Sequence, residues 1–580
     1  MNSIPRMAPI AALPLVLALV PAAIAAPVIS PASGAPDALP ASEISFLGAT
    51  PASLSQISVV GSRSGRHGGR LRAFVSAPGA AFKPSKPFLP GEQVTVHARW
   101  RSSGALTTLT TSFTVATPVS LPLVSSTPSA GGEDVQSFRS TPRLRPPVVT
   151  VRAGDGTGAP GDLLATPAGD ASQSGPMIFT SSGELVWFDP LRAGEQAANL
   201  RTQELAGRED LTWWQGRISS EGYGRGEDVI ENADYHPVAT VRAGNGLAAD
   251  WHGFQLTPQG SAWVLSASPV QADLSSVGGP ADGIVLDGVV QEIDVRTGLV
   301  MWEWQSLGHV PLSDSYTLPQ PDAPYDYMHI DSLELDEQGN LVVTAANTRA
   351  VYYVNAHSGA IVWRLGGKHS SFTIGAGVAF ADPQDATLLH GGQVSLLDDG
   401  GTLSARAEVV KLDRQAGSAT LDATLPRTAS SSPSADGGDV QSLGAGGWLV
   451  GWGAPSDFSE FDSGGHQIYE AQLPSADFSY RVYREPWSAQ PTELPQLDEF
   501  NEAGTSTVYA SWNGATTASA WQLLTGSSRA RMAPVSTTPW GGFQTTIPAP
   551  GAAFYQVQAL SSSGRVLASS RVIAAGGPAR

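Results

Sequence analysis

Four polar side chains recur at a near-constant distance from a glycine turn. His252 stands eight residues before Gly260, Gln384 eight before Gly392 and Asp439 eight before Gly447, while His329 stands ten before Gly339. Imidazole can attack an electrophile, take a proton or give one near neutral pH, so two histidines in one repeated slot point to a reaction or to a polar ligand. Gln384 breaks the series. Its amide nitrogen is delocalised into the carbonyl, which leaves neither a nucleophile nor a group that titrates near neutrality. Either histidine alone suits a structural role; it is their agreement with a repeat that favours function.

The repeat lies between residues 140 and 490. A pattern of hydrophobic, Asp or Asn, glycine turn and closing aromatic recurs as "EIDVRTGLVMW", "YVNAHSGAIVW" and "EFDSGGHQIY", with partial copies elsewhere. Its last anchor falls at Trp187, Thr240, Trp302, Trp363, Leu421 and Tyr469, a spacing of about 50 to 60 residues that suits a four-stranded propeller blade. A second glycine turn alternates with the first in "LTPQGSAWVLS", "LDEQGNLVVTA", "LLHGGQVSLL" and "LGAGGWLVGW". Six anchors predict a six-bladed β-propeller over 148–490. Equivalent residues of its blades share one height around one axis, so the slot residues should converge on a central channel. Trp251 and Tyr327 are candidates for an apolar wall, and Trp213 and Trp214 suit either that wall or the core. Arg364 either turns inward, where its planar fork suits sulfate, phosphate or carboxylate, or makes a surface ion pair.

Short β-branched runs and 63 glycines with 44 prolines give an all-β texture, and no stretch past the leader keeps a helical period. Ig-like β-sandwich domains are expected on both sides, at 27–118 and within 491–580, joined to the centre by linkers at 119–147 and from about 485 to 500. Trp512 and Trp521 read as core anchors of the C-terminal sandwich, and the basic stretch around His67 as a solvated turn. Residues 1–26, with Arg6 ahead of an apolar run ending in Ala23-Ile24-Ala25, read as a secretory signal, and no other stretch reaches the length of a membrane span. The expected location is extracellular. The chain holds no cysteine, so its stability must come from packed sheets, and a net charge of −18 excludes nucleic acid and anionic lipid as natural partners. Asp382, Asp385, Asp398 and Asp399 match no calcium-loop spacing, and neither a metal nor a cofactor is expected.

The segments "DWHGFQLTPQG", "YDYMHIDSLELDEQGNLVV", "GAIVWRLGGK" and "VQSLGAGGWLVGWG" resemble the secreted bacterial aryl sulfotransferase family, in its actinobacterial-type members. That resemblance implies a propeller that moves a sulfuryl group from a phenolic sulfate ester to another phenol without a nucleotide donor, through a sulfated channel histidine. The family's first channel histidine matches His252, with Gly253 in place of a glutamate. The second matches His329, followed by Asp331 where asparagine is usual. An Arg-Asn-Thr stretch matches Ala346-Asn347-Thr348, so its arginine is lost, and Arg349, three residues on, should face the other way. Trp-Arg-Leu-Gly-Gly-Lys is intact with Arg364. The segment that supplies the attacking histidine aligns on Phe380 to Ala386, and its histidine is Gln384.

Loss of such a nucleophile costs orders of magnitude in rate. The resemblance therefore implies a degenerate site in which His252, His329, Asp331, Asn347 and Arg364 bind a phenol or aryl sulfate ester and Gln384 does not transfer it. Two other readings stay open: a sulfotransferase with a different nucleophile, and an adhesion or scaffold protein marked by an exposed aromatic patch on the sandwiches. His369 and His390 read as exposed loop residues. Nothing in the sequence fixes the oligomeric state.

Overall fold

A computed structural model describes residues 26–122, 134–154, 159–169, 172–378, 380–399, 405–427, 437–454, 456–502 and 504–576. The expected leader, but for Ala26, lies outside them, as does the middle of the 119–147 linker. Among the described residues the fold is all-β, with only short 3₁₀ turns between strands, and no helix is long and apolar enough to cross a membrane.

Among the described residues six sheets follow one another through the centre, all antiparallel but for the short parallel edge pairing of Thr373–Ile374 in the fifth. The first joins Asp162–Ala165, Met177–Phe179 and Leu185–Phe188 to a returning strand, Val482–Glu485. The second is Gln196–Leu205, Arg208–Ile218, Gly224–Glu231 and Pro237–Val241. The third is Phe254–Leu256, Ser261–Ala272, Gly283–Asp294 and Val300–Gln305. The fourth is Ile330–Leu335, Leu341–Ala345, Ala350–Val354 and Ile361–Gly366. The fifth opens with Pro383–Leu389 and the sixth with Asp439–Ser442; Thr150–Ala153 pairs at the far edge of the sixth.

From the second sheet to the sixth, leading strands touch in succession, and Val482–Glu485 contacts both Asp439–Ser442 and Gln196–Leu205. The closing anchors Trp187, Thr240, Trp302, Trp363, Leu421 and Tyr469 all fall on the last strands of the meanders. Both faces of these sheets are covered by neighbours, which is why strands such as Leu341–Ala345 are buried at every position instead of alternating. The core alternative holds for the tryptophan pair: Trp213 packs on Trp187 and Trp214 donates to the Ala249 carbonyl at 2.9 Å.

The flanking regions are each two sheets over a shared core. Strand Gln93–Ser102 alternates, with Val94, Val96, Ala98 and Trp100 inward and Thr95, His97, Arg99 and Arg101 turned away, as expected where one face meets solvent. The basic stretch at His67 is not a turn but two short exposed strands, Gly65–His67 and Gly69–Ala73, because each finds an antiparallel partner. At the other end Trp512, Trp521 and Tyr555 centre the core, and Gln496–Glu502, partly expected as linker, is a strand paired with Thr505–Ser511.

Candidate functional site

A cavity of about 300 Å³ opens where the leading strands begin, and His252, His329, Asp331 and Gln384 all line it. They come from three sheets. His252 lies just before Phe254, His329 just before Ile330, and Gln384 is second in its strand, so each is held at the entry to a leading strand. The two imidazole rings are 5.3 Å apart, centre to centre, and cross at 78°. Tyr223 packs edgewise on His252 at 5.6 Å and tilts toward His329 at 5.3 Å, while Trp251 and Tyr480, 4.5 Å apart, wall the other side.

Each histidine has its own carboxylate. His252 Nδ1 bonds Asp250, and His329 Nδ1 bonds Asp326 Oδ2 at 2.5 Å. Asp326 also accepts the His329 amide at 3.0 Å and the Tyr223 hydroxyl at 2.9 Å. His329 has φ of 48°, a left-handed conformation uncommon outside glycine, and that amide bond helps to hold it there. Burial pushes the His329 pKa down, but Asp326, by charge and hydrogen bond, with Asp331 and Asp250 behind it, raises it to about 9. At neutral pH His329 is an imidazolium.

Asp331 is fully engaged. Its Oδ1 accepts the Tyr480 hydroxyl at 2.8 Å and its Oδ2 the Asp385 amide at 3.1 Å; Arg481 lies 3.7 Å from Oδ2 and donates to the Asp331 carbonyl at 3.1 Å. Hydrogen bonding orients the Gln384 amide with its nitrogen toward this carboxylate, donating to Oδ1 and, at 3.2 Å, to Oδ2. Gln384 is thus a neutral donor in a buried network. Asp382 sits beside it, raised to about 6 by burial and by Asp331 against the opposing pull of His329 and the Gln384 hydrogen bond.

Two glycines shape this site. A Cβ at Gly437, whose φ is 77°, would fall 2.5 Å from the Tyr480 ring, so only glycine lets that ring reach the cavity wall. A Cβ at Gly253 would lie 2.9 Å from Leu265 and 3.1 Å from the Leu333 Cβ, leaving no room for a glutamate in this backbone.

Arg364 and Asn347 do not line the cavity. Arg364 belongs to Ile361–Gly366, the last strand of its sheet, and lies 5.7 Å from the Tyr352 ring. Asn347 follows the second strand and donates to the Asp326 carbonyl at 2.7 Å, holding the loop that carries the partner of His329. Arg349, at φ 51°, lies 4.4 Å over Tyr316, Tyr327 is in the core, and Asp439 is fully buried with its Oδ1 on the Val482 amide at 2.9 Å. His369 and His390 are exposed beside Asp314 and Glu337. Sequence reasoning missed Asp250, Asp326, Tyr223, Tyr480 and Arg481. It also passed over Asn199, which precedes Gly207 by the same eight residues and donates to the Trp251 carbonyl at 2.5 Å.

Residues 201–473 match the family model Arylsulfotransferase (ASST). His252, His329, Asp331, Asn347, Arg364 and Gln384 all fall inside this arylsulfotransferase match, whereas Tyr480 and Arg481 lie just beyond it. No curated protein matches the sequence. Among solved structures, the chain is similar to a protein of unknown function from Bacteroides caccae, at 12% identity over 56% of this chain and 98% of that one with a TM-score of 0.35. It is also similar to a quinonprotein alcohol dehydrogenase-like protein from Bacteroides thetaiotaomicron, at 9% identity over 94% and 99% with a TM-score of 0.25.

Proposed function

We propose that the chain is an exported small-molecule-binding protein of the arylsulfotransferase type whose channel holds a phenol or aryl sulfate ester without transferring the sulfuryl group. Residues 148–490 form a six-bladed propeller in this reading, flanked by Ig-like sandwiches at 27–118 and within 491–580. The succession of touching leading strands and the returning strand Val482–Glu485 support it. The observation that carries the functional reading is the Gln384 amide tied to Asp331 in the cavity that His252 and His329 line. In this reading the ring lies against Trp251 and Tyr480, the His329 imidazolium meets anionic oxygens, and no nucleophile stands at Gln384. The test is incubation of the protein with a chromogenic aryl sulfate and a phenol acceptor. Binding with turnover at the buffer rate is expected, and transfer well above that rate overturns the reading. Gln384→His is the variant expected to gain transfer.

A second reading is favoured by the Asp250–His252 pair. With Nδ1 held by Asp250, His252 Nε2 is free to attack sulfur; the N–S bond forms, the bond from sulfur to the aryl oxygen breaks, and the leaving phenolate takes the proton of His329. A sulfated His252, trapped and mapped by mass spectrometry and lost in His252→Ala, supports this alternative. The adhesion reading has little support: among the described residues of the flanking regions, Phe500 is the one exposed large aromatic, and Arg139 covers it at 4.1 Å.

A further inference from the structure

We propose that the outer sheet of the N-terminal region binds a linear acidic polysaccharide. The basis is a separation of charge within one chain. Residues 27–118 hold eight arginines and lysines against three acids, a net +5, so that with a total of −18 the remaining residues carry −23. All eight basic side chains are exposed, whereas Asp37, Glu43 and Glu92 are only 3%, 3% and 1% exposed. Each acid is also engaged elsewhere. Glu43 holds Lys83, Glu92 accepts the Ser64 and Leu89 amides at 2.9 and 2.7 Å, and Asp37 accepts at its carbonyl from Gln305 of the third central sheet. A solvated face ordinarily mixes both signs; the charge exposed here has one.

The two N-terminal sheets differ in what they meet. The sheet with Ile44–Leu47 and Gly79–Pro84 packs against Val300–Gln305 of the third central sheet. The other, with Leu54–Gly61, Gly65–His67, Gln93–Ser102 and Ala105–Thr114, gives its outer face to solvent. Register on that face aligns Arg66 with Thr95, His97 with Thr110 and Arg99 with Thr108, and Arg101 follows. His97, Arg99 and Arg101 thus stand in line about 7 Å apart, with hydroxyls beside them. A guanidinium takes a carboxylate as a fork, and a threonine hydroxyl both donates and accepts, so the face matches a polymer bearing carboxylates and hydroxyls. Among the described residues no Phe, Tyr or Trp stands on it, which leaves the bases of a single-stranded nucleic acid nothing to stack on. A bilayer would bring its own negative charge against the −23 of the remainder, whereas a thin chain meets this face alone. The choice of an extracellular polymer rests on the export in the proposed function; the cationic face does not, and none of its residues lines the histidine cavity.

The test is fluorescence anisotropy of labelled alginate oligosaccharides titrated with the full chain. Saturable binding is expected at about 20 mM salt and its loss by about 500 mM, with none to neutral dextran. Arg99→Ser with Arg101→Ser should weaken it about tenfold, and Arg99→Glu with Arg101→Glu should abolish it, both at the parent melting temperature. Arg531→Ser with Arg565→Ser removes the same charge from two exposed positions of the C-terminal region and should leave affinity within about twofold. No binding in the parent protein, or equal weakening by the C-terminal pair, overturns the proposal. Tighter binding to a single-stranded oligonucleotide or to anionic vesicles, lost in Arg99→Glu with Arg101→Glu, also overturns it. So does a parent dimer that the same variant dissociates, since the acidic remainder of a second copy is then the occupant. None of these outcomes bears on aryl sulfate binding, which is read with its own chromogenic ester.

Discussion

Two buried groups of carboxylates in this molecule are neutralised in opposite ways. Around the histidine cavity four acids have a base: Asp250 has His252, Asp326 has His329, and Asp331 and Asp385 share Arg481, 3.7 and 3.5 Å away. Where the N-terminal sheets meet the third central sheet, Asp37, Asp287 and Glu303 are packed together with no cation paired to them among the described residues. Glu303 accepts from Asn245 at 2.7 Å, Asp287 from Ser306 at 2.8 Å, and Oδ2 of both aspartates finds no donor; Glu43, beside them, has Lys83 at 2.7 Å. Burial first, then neighbouring carboxylates, raises Asp37 to about 7 and Asp287 well above the usual range. Burial and mutual repulsion favour protonation at this interface, whereas most of the acids at the cavity face a cationic side chain. A site that keeps ionised groups under cover is prepared for a polar ligand; an interface that keeps acids neutral is prepared for packing.

The largest effect that would break this contrast comes from removing the shared cation. Arg481 is 2% exposed and also packs on Tyr480 at 4.9 Å. Arg481→Met leaves two buried carboxylates unpaired and is expected to cost about 3–5 kcal/mol, read by urea denaturation. Adding Asp331→Asn and Asp385→Asn should return most of that loss. If Arg481→Met costs less than about 1 kcal/mol, the cavity acids are already protonated and the two regions do not differ.

Much of this site was legible because repeats compare positions that a single segment cannot. Counting back from a glycine turn brought His252, His329 and Gln384 to one cavity, since the turn ends a hairpin whose first strand always leads the sheet. The same count would have found Asn199 had the turn in "LAGRE" been recognised. Arg364 was legible as a residue but not as a position: it follows the closing anchor, and the closing strand is the one farthest along its sheet from the cavity. Tyr480 and Arg481 come after the last anchor, where no repeat remains to compare them with, and only the return of Val482–Glu485 to the first sheet brings them in. Asp250 and Asp326, two and three residues before their histidines, left a local Asp-His signal that went unread.

A smaller effect sharpens the interface side. Asp37 goes from 3.8 unfolded to about 7 folded, so between those values the folded chain holds a proton that the unfolded chain has lost. Stability therefore falls as pH rises through that window, and the full penalty applies above it. Asp287, Glu303, Glu43 with Lys83, and Tyr327 face this group, and removing its charge also lessens the upward push on Asp287 and Tyr327. Asp37→Asn is expected to match the parent protein near pH 4 and to exceed it by a few kcal/mol at pH 8, measured as urea midpoints. Equal midpoints at pH 8 would mean that a counter-charge reaches the interface after all.

The smallest effect concerns the charge on His329. Its folded pKa of about 9 lies above the ordinary 6.5, so the stabilisation from its pairing is fully present below pH 6.5 and is lost as pH rises through about 9. Affinity for an anionic aryl sulfate should follow the same course, constant to about pH 8 and falling through 9. Asp326→Asn removes the main partner while an amide can still accept from Nδ1, so the ring keeps its place and loses its charge nearer neutrality. The imidazole titration, followed by proton NMR, should move down toward 6.5, and the fall in affinity should move with it. A shifted titration with an unmoved affinity profile would show that the ligand does not touch His329. An unshifted titration would instead pass the control of that charge from Asp326 to Asp331 and Asp250, the two carboxylates that also act on the ring and already have partners of their own.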